Sequence, residues 1–245
     1  MRLDKFLCKS TDFSRSQACE QILAGHIRVN GDIQTDPAKQ VHENNEIIFN
    51  GCRLKPRPSR YIMMNKPGGT VCSNIDDHYP SVFGLLAFDR VDDLHLAGRL
   101  DADTTGLVFI TDDGRWSQQI IAPKNQCYKT YRVGLKKAIG EDAVSRFAQG
   151  IQLQGEKGLT LPAKLQLLTP QQVLLSIMEG KYHQVKRMFA ALGNKVVTLH
   201  RQQIGAVALD SKLAPGQWRY LTANEVSAFQ PPGYRDTLPT DTEKD

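Results

Sequence analysis

Long apolar runs are missing from this sequence of 245 residues. No stretch approaches the ~20 consecutive apolar residues that a membrane-spanning helix needs. The first residues, MRLDK, carry charge at once and so lack the apolar core of a secretory signal peptide. These absences predict a cytoplasmic protein that does not associate with a membrane.

Cysteine pairs of the CxxC type are also absent. The five cysteines are an odd number and lie far apart in the sequence, at Cys8, Cys19, Cys52, Cys72 and Cys127. Disulfide frameworks and structural zinc sites use cysteines in even numbers or at short, regular spacings. The sequence therefore argues against both kinds of site.

The composition is ordinary for a globular protein, but the charge is unevenly distributed. Hydrophobic residues make up 40% and charged residues 23% of the chain, and its length suits one or two domains with a real core. Lys and Arg outnumber Asp and Glu by 9 to 7 in residues 1–58 and by 20 to 15 in residues 59–230, whereas the counts are 2 and 4 in residues 231–245. This basic balance permits a polyanionic partner without requiring one.

The most informative polar stretch is GRLDADTTG at residues 98–106, which contains Arg99, Asp101 and Asp103. The run LVFI follows it at residues 107–110 and is typical of a buried strand, and apolar residues also precede it. We expect a loop held between two strands, where a rigid scaffold can position a reactive side chain.

Three interpretations of this loop are open from the residues alone. Its aspartates can cap turns, which is the ordinary role of Asp beside Gly and Thr. They can bind calcium, because the positions of an EF-hand loop are matched by Asp101, Asp103, Thr105, Gly106 and Asp112. The calcium match lacks the final Glu and the flanking helices that an EF-hand requires. Finally, one aspartate can act as a nucleophile or base, with a cation such as Arg99 holding it ionised.

The first 50 residues predict a compact module of two helices and a small sheet. A helix is expected over residues 2–9, and a capping box of Ser14 and Gln17 begins a second helix. Strands are expected at residues 27–29 and 46–49, with Asn30-Gly31 as a hairpin turn. The exposed helical faces collect basic residues, which indicate either a solvated face or an RNA site: Arg2, Lys5, Lys9 and Arg15.

The rest of the chain alternates strand and helix patterns. Strands are expected at residues 61–64, 70–72, 129–135, 196–201 and 204–209, and helices at 112–122, 179–192 and 222–229. The turn after residue 64 allows Lys66 to face an anion, and Tyr131 falls on the buried face of its strand. In the helix ending at residue 192, Lys186 and Arg187 lie opposite the apolar face. The polar tail at 231–245 is expected to be disordered.

Separated segments along the chain, in the expected order, resemble known families. The segments RLDKF, SRSQA and GHIRVNG near the N-terminus resemble the S4 domain, a small RNA-binding module. The segments GRLD at 98–101, TTGL at 104–107, KTY at 129–131 and HQVKRMF at 183–189 resemble the motifs of pseudouridine synthases. The resemblance covers nearly all of residues 1–230.

This resemblance implies a role for particular residues. Asp101 would be the nucleophile or base, Lys186, with Arg99, would pair with it, and Tyr131 would stack on a flipped uracil, with Leu199 lining the pocket. Since isomerisation involves no redox change and no leaving group that needs a metal, neither a cofactor nor a metal is expected. The residues expected to contact RNA are Arg2, Lys5, Lys9, Arg15, Arg28, Lys66 and Arg187.

The predicted architecture is α+β, with a small S4-like α/β module and linker at residues 1–58. A larger catalytic domain at residues 59–230 would be built on a mixed, mainly antiparallel sheet. The predicted activity is isomerisation of a specific uridine in small-subunit (16S) ribosomal RNA, by a monomer acting on that RNA or an assembly intermediate. The alternatives are the same chemistry on large-subunit RNA, a non-catalytic RNA-binding assembly factor, and metal-dependent phosphoryl chemistry at the aspartates.

Overall fold

The computed structural model describes residues 1–42, 44–75, 78–88 and 90–230. They fall into two compact units, one ending at Pro58 and the other beginning at Ser59. Each unit has a hydrophobic core of its own. The expected disorder of residues 231–245 lies outside the described residues.

The smaller unit packs two helices against an antiparallel sheet with strand order β2-β1-β3-β4. Its elements are α1 (Leu3–Ser10), α2 (Arg15–Leu23), β1 (Ile27–Val29), β2 (Asp32–Gln34), β3 (Ile47–Phe49) and β4 (Cys52–Arg53). The predicted capping box is present, because the Ser14 hydroxyl accepts from the Gln17 amide and the Gln17 side chain accepts from the Ser14 amide. Asn30 and Gly31 both have positive φ, as the two-residue hairpin turn requires.

The larger unit is built on one mixed sheet. Its strands are β5 (Tyr61–Lys66), β6 (His95–Leu96), β7 (Thr105–Thr111), β8 (Lys129–Leu135), β9 (Lys164–Thr169), β10 (Gln172–Ile177), β11 (Val196–Ile204), β12 (Val207–Ala208) and β13 (Trp218–Tyr220). The main order is β13-β5-β7-β11-β8-β10-β9, with β6 beside β7 and β12 beside β11. Only β7 and β11 pair in parallel among the described strands. The predicted mixed, mainly antiparallel sheet is therefore confirmed.

Helices cover the sheet of the larger unit. They are α3 (Gly114–Ile121), α4 (Asp142–Gln149), α5 (Gln184–Ala191) and α6 (Ala223–Ser227), with short 3-10 turns at Val82–Leu85, Val91–Asp93 and Pro123–Asn125. In the described parts of the chain, no helix is long and apolar enough to cross a membrane.

Two apolar clusters form the core, one on each face of the central strands. Met64 and Val108 belong to the larger cluster, whereas their neighbours Met63 and Leu107 belong to the second. Side chains of a strand alternate between faces, so β5 and β7 are buried on both sides. The loop at residues 98–104 thus leads into β7, a strand that is held by packing on both of its faces.

Three predicted boundaries are wrong. Residues 70–72 form no strand, because Val71 makes only an isolated bridge to Ser81. Ile204 ends β11 instead of starting the next strand, since the chain turns at Gly205 with φ +54° and leaves only a two-residue β12. The helix expected from residue 179 begins at Gln184, because His183 has the left-handed backbone conformation that cannot continue a helix.

Gly106 is placed where β7 passes closest to β11. Its φ is +104°, a conformation that favours glycine. A Cβ at this position would overlap the Arg201 carbonyl oxygen and would lie 2.8 Å from the Arg201 nitrogen. The parallel pairing of β7 with β11 therefore depends on glycine here.

We expect the substitution Gly106→Ala to lower the free energy of unfolding by about 3 kcal/mol or more, from backbone strain and overpacking together. Urea denaturation of the two proteins measures the change. Gly84→Ala is the matched control, because a Cβ there meets no atom within 4 Å, and it should shift stability by about 0.5 kcal/mol at most. Equal stability of the two variants would contradict the assignment of Gly106.

Candidate active site

Asp101 lies in the loop between β6 and β7 that the sequence singles out. The loop is closed by a hydrogen bond of 3.1 Å from the Thr104 amide to the Asp101 carbonyl oxygen. The Gly69 amide donates to the carbonyl oxygen of Ala102 at 2.9 Å and ties the loop to the turn after β5. The backbone of Asp101 is thus held from two directions.

Lys66 supports this loop from below and is fully buried. Its ammonium donates to the carbonyl oxygens of Pro67, Ala102 and Thr104 at 3.0, 3.3 and 2.9 Å. Burial lowers the pKa of Lys66. The structure therefore contradicts the expectation that Lys66 contacts RNA, because its side chain has no exposed surface and its ammonium is bound to carbonyl oxygens of the loop.

Lys186, on α5, lies between the two carboxylates of the loop. Its Nζ is 3.1 Å from Asp101 Oδ2 and 2.6 Å from Asp103 Oδ1. Partial burial acts to lower the pKa of Lys186, but hydrogen bonds to Asp103 and Asp101 raise it above its ordinary value. The hydrogen bond with Lys186 lowers the pKa of Asp103. The structure therefore brings Asp101 and Lys186 together as a charged pair, with Asp103 as an exposed second partner.

The segment before α5 places a histidine against the same carboxylate. His183 has φ +47° and precedes the first residue of the helix. Its Nε2 lies 3.5 Å from Asp101 Oδ1. Gln184 fixes this turn, since its side chain accepts from the Lys181 amide at 2.8 Å and donates to Glu179 at 2.9 Å.

Tyr131 is buried in β8 next to an arginine that the sequence motifs did not single out. The Nη1 of Arg201 lies 3.5 Å from the Tyr131 hydroxyl, and Arg201 as a whole is only 2% exposed. Its Nε donates to the Leu107 carbonyl oxygen at 2.7 Å and its Nη2 to that of Gly98 at 3.4 Å. The signal in the sequence that could have found Arg201 is that this charged residue ends a predicted strand. A charge buried at such a place needs hydrogen-bond acceptors inside the protein.

These elements enclose a pocket. Its lining includes the residues that the resemblance assigned to substrate, namely Arg99, Asp101, Tyr131, Lys186 and Leu199. Thr104 also lines it, and its buried hydroxyl has no hydrogen-bond partner within the described ranges. The pocket thus combines apolar walls, a carboxylate and an unused polar atom, which suits a flat molecule with polar edges.

Arg99 has a different place from the one expected. It is exposed at the rim of the pocket. Across residues 90–230, the side chains within ion-pair distance of Asp101 are those of Lys186 and His183. Lys186 is therefore the cation that orients Asp101 in this structure.

Comparisons with known proteins identify the family. The family model for RNA pseudouridylate synthase matches residues 60–191, more than half of the chain, and the S4 domain model matches residues 1–47. The chain belongs to the RNA pseudouridylate synthase family. The matched residues include the loop of Asp101, Tyr131 and Lys186.

Relatives of this synthase are similar over almost their whole length. The ribosomal small subunit pseudouridine synthase A of Vibrio parahaemolyticus is 51% identical over 93% of this chain and 99% of its own. The protein of that name from Escherichia coli K12 is 47% identical over the same shares. A crystal structure of a pseudouridylate synthase is 46% identical, covers 94% of this chain and 100% of its own, and superposes with a TM-score of 0.70.

The S4 domain of this synthase contains most of the basic residues expected to contact RNA. Arg2 and Arg15 are exposed and reach the buried Asp4 carboxylate at 2.9 and 3.3 Å. Arg28 is exposed and donates to the Gly31 carbonyl oxygen. Contact between these arginines and RNA remains a prediction.

The two lysines of α1 are less accessible than the helical pattern predicts. Lys5 is partly exposed, whereas Lys9 is only 6% exposed. The Arg57 amide donates to the Lys9 carbonyl oxygen, so the segment after β4 runs over this end of the helix. The expectation of Lys9 on an exposed RNA-binding face is therefore wrong.

In the synthase domain, Arg187 is engaged by the protein itself. Its guanidinium donates to Glu156 at 3.3 Å and to the carbonyl oxygens of Tyr182 and Gln154 at 3.1 and 2.6 Å. These bonds attach α5 to the loop before β9. Direct contact of Arg187 with RNA remains a prediction.

We expect the substitution Lys66→Met to lower the free energy of unfolding by about 2 kcal/mol at pH 7, because it removes the buried ammonium that donates to the Pro67, Ala102 and Thr104 carbonyl oxygens. The deficit should widen as the pH rises. Between the lowered pKa of Lys66 in the folded protein and its ordinary value of 10.5, the unfolded chain binds more protons, so wild-type stability gains from rising pH and the variant does not.

Urea denaturation of both proteins between pH 7 and about pH 10 measures this difference. Lys195→Met is the control, because that lysine is exposed and its removal should leave stability nearly unchanged at each pH. A deficit that stays constant or shrinks with pH would contradict the placement of Lys66.

Proposed function

We propose that this protein isomerises one uridine of small-subunit (16S) ribosomal RNA to pseudouridine. The pairing of Asp101 with Lys186 at a pocket lined by Tyr131 and Leu199 carries this proposal. The choice of RNA is supported by relatives that are 47–51% identical and are named for the ribosomal small subunit.

The reaction breaks the bond between the sugar C1′ and N1 of uracil and joins C1′ to C5. The proton on C5 is lost and N1 gains one, so atoms and electrons balance without an oxidant. The base must leave the RNA stack for this exchange, as it does in other enzymes that act on bases. Since the detached uracil is itself the product's base, no metal is needed to stabilise a departing group.

Asp101 acts in this proposal as the nucleophile or base. Attack on the sugar, attack on the base and removal of a sugar proton all need a carboxylate beside the glycosidic bond, and all three remain open. Lys186 orients the carboxylate and offsets part of its charge. Tyr131 and Leu199 form the apolar walls against which a flipped pyrimidine ring rests.

The S4 domain binds the RNA in this proposal, and the protein acts as a monomer in the cytoplasm, where ribosomal RNA is assembled. The substrate is naked RNA or a ribosomal assembly intermediate.

Incubation with small-subunit and large-subunit transcripts, followed by carbodiimide modification and reverse transcription, tests the activity. We expect one new stop in the small-subunit RNA, in the presence or absence of EDTA. Asp101→Asn should lower the rate by about 10³-fold or more while RNA affinity stays within a few fold. Asp103→Asn is the control: this exposed residue of the same loop is not assigned to the chemistry, and the variant should form product.

The other outcomes are distinct. A stop only in large-subunit RNA would show that the substrate is that RNA and that the proposed isomerisation is correct. Cleavage of the transcript that EDTA abolishes, without a pseudouridine stop, would instead favour metal-dependent phosphoryl chemistry at the aspartates. Binding without a stop in transcripts or in precursor particles would favour a non-catalytic assembly factor.

The role of Lys186 is separable from that of Asp101. We expect Lys186→Met to lower the single-turnover rate by about 10²-fold, because the carboxylate loses the cation that orients it. Lys186→Arg should retain most of the rate, since it keeps the charge. Equal loss in both variants would show that the charge of Lys186 is not what the reaction uses.

A further inference from the structure

Tyr182, directly before His183, exposes its aromatic ring beside the pocket. Its relative exposure of 77% is the highest of any Phe, Tyr or Trp in the described parts of the chain. An aromatic ring has a large apolar face that water solvates poorly. The exposure of Tyr182 therefore needs an explanation beyond packing.

The backbone of Tyr182 is held in place although its ring is exposed. Its carbonyl oxygen accepts from Arg187 at 3.1 Å, and Arg187 is in turn bound to Glu156 and Gln154. On the other side, the Lys181 ammonium lies 2.9 Å from Glu156. The ring thus projects from a braced turn, so that little conformational entropy is lost when a ligand covers it.

The ring of Tyr182 stacks on a residue of the pocket. Its centroid lies 3.9 Å from that of His183, with an angle of 19° between the planes. His183 lines the pocket, and its Nε2 is 3.5 Å from Asp101. The left-handed backbone of His183, uncommon for a residue other than glycine, allows this arrangement. One imidazole therefore separates the exposed ring from the reactive carboxylate.

The charges around Tyr182 are already paired. Glu156 accepts from both Lys181, which precedes Tyr182, and Arg187, which binds the Tyr182 carbonyl oxygen. A phosphate would have to compete with Glu156 for them. The turn thus presents an aromatic face in preference to free positive charge, which suits a nucleobase better than an RNA backbone.

We propose that Tyr182 is a stacking platform for the nucleobase adjacent to the target uridine. This inference rests on the proposed function. Extrusion of one base removes a stacking partner from its neighbours, and single-stranded bases commonly stack on aromatic side chains instead. The target uracil occupies the pocket against Tyr131, while its neighbour covers Tyr182 outside it. The platform contributes to recognition of the extruded conformation and takes no part in bond making.

A double-mutant cycle between protein and RNA tests the platform. Wild type and Tyr182→Ala are titrated with RNA that contains the mapped uridine, either intact or abasic at the 5′ or 3′ neighbour. We expect Tyr182→Ala to raise the Kd for intact RNA about tenfold. Removal of the base that contacts Tyr182 should raise the Kd of wild type by a similar factor. The same removal should not raise the Kd of Tyr182→Ala any further.

Two further readouts separate stacking from other roles. Tyr182→Phe should bind like wild type, because the ring is kept, and the single-turnover rate of Tyr182→Ala at saturating RNA should change little. The dependence of affinity on salt should be the same in all variants, since no phosphate contact is lost. Tyr220→Ala, which removes an exposed ring from the edge strand β13, is the matched control and should not change the Kd.

Additive losses from Tyr182→Ala and the abasic RNA would overturn the proposal, as would an unchanged Kd for Tyr182→Ala. Wild-type turnover on the same intact RNA distinguishes failure of the platform from failure of the proposed function. Product formation with an additive cycle rejects the platform alone, whereas absence of product rejects the proposed function and the platform with it.

Discussion

The contact between Lys186 and Asp101 joins two segments that lie 85 residues apart in the chain, the loop before β7 and the helix α5. One ammonium faces two carboxylates there, because Asp103 lies even closer to Lys186 than Asp101 does. The lysine charge is a point with three donors, so one ammonium can bind both carboxylates. This contact orients the Asp101 carboxylate at the pocket, to whose lining both α5 and the loop contribute residues.

Two buried cations hold the loop from the other side. Lys66 binds the carbonyl oxygens of Ala102 and Thr104, and Arg201 binds those of Gly98 and Leu107. Buried charges are costly unless they are fully hydrogen-bonded, and here the loop backbone supplies the acceptors. Substitution of either cation would therefore remove hydrogen-bond donors from the backbone around Asp101. The position of the carboxylate is set by backbone contacts as much as by its own side-chain partners.

Much of this organisation can be predicted from the sequence, and the failures share a physical cause. Periodicity predicts β7, β8 and α1, and motif resemblance predicts the family and the segments that meet at the pocket. The helix α4 and the strands β9 and β10 are missed. Lys66, Lys9 and Arg201 are misjudged or overlooked because a charged residue is expected at the surface by default. Their burial is decided by distant acceptors and covering segments, which no local pattern contains.

The proposed reaction requires free energy to extrude the target base from its stack. Asp101, Tyr131 and Lys186 are positioned by contacts within the chain, and in the proposed reaction the target uridine must leave its stack to reach them. Unstacking a base costs a few kcal/mol, and contacts that exist only with the extruded conformation offset this cost. If Tyr131 contacts the target base and Tyr182 contacts its neighbour, as proposed, recognition is divided between the inside and the outside of the pocket. Such a site would select RNA by how readily the target uridine can leave its stack, in addition to any contact with its sequence.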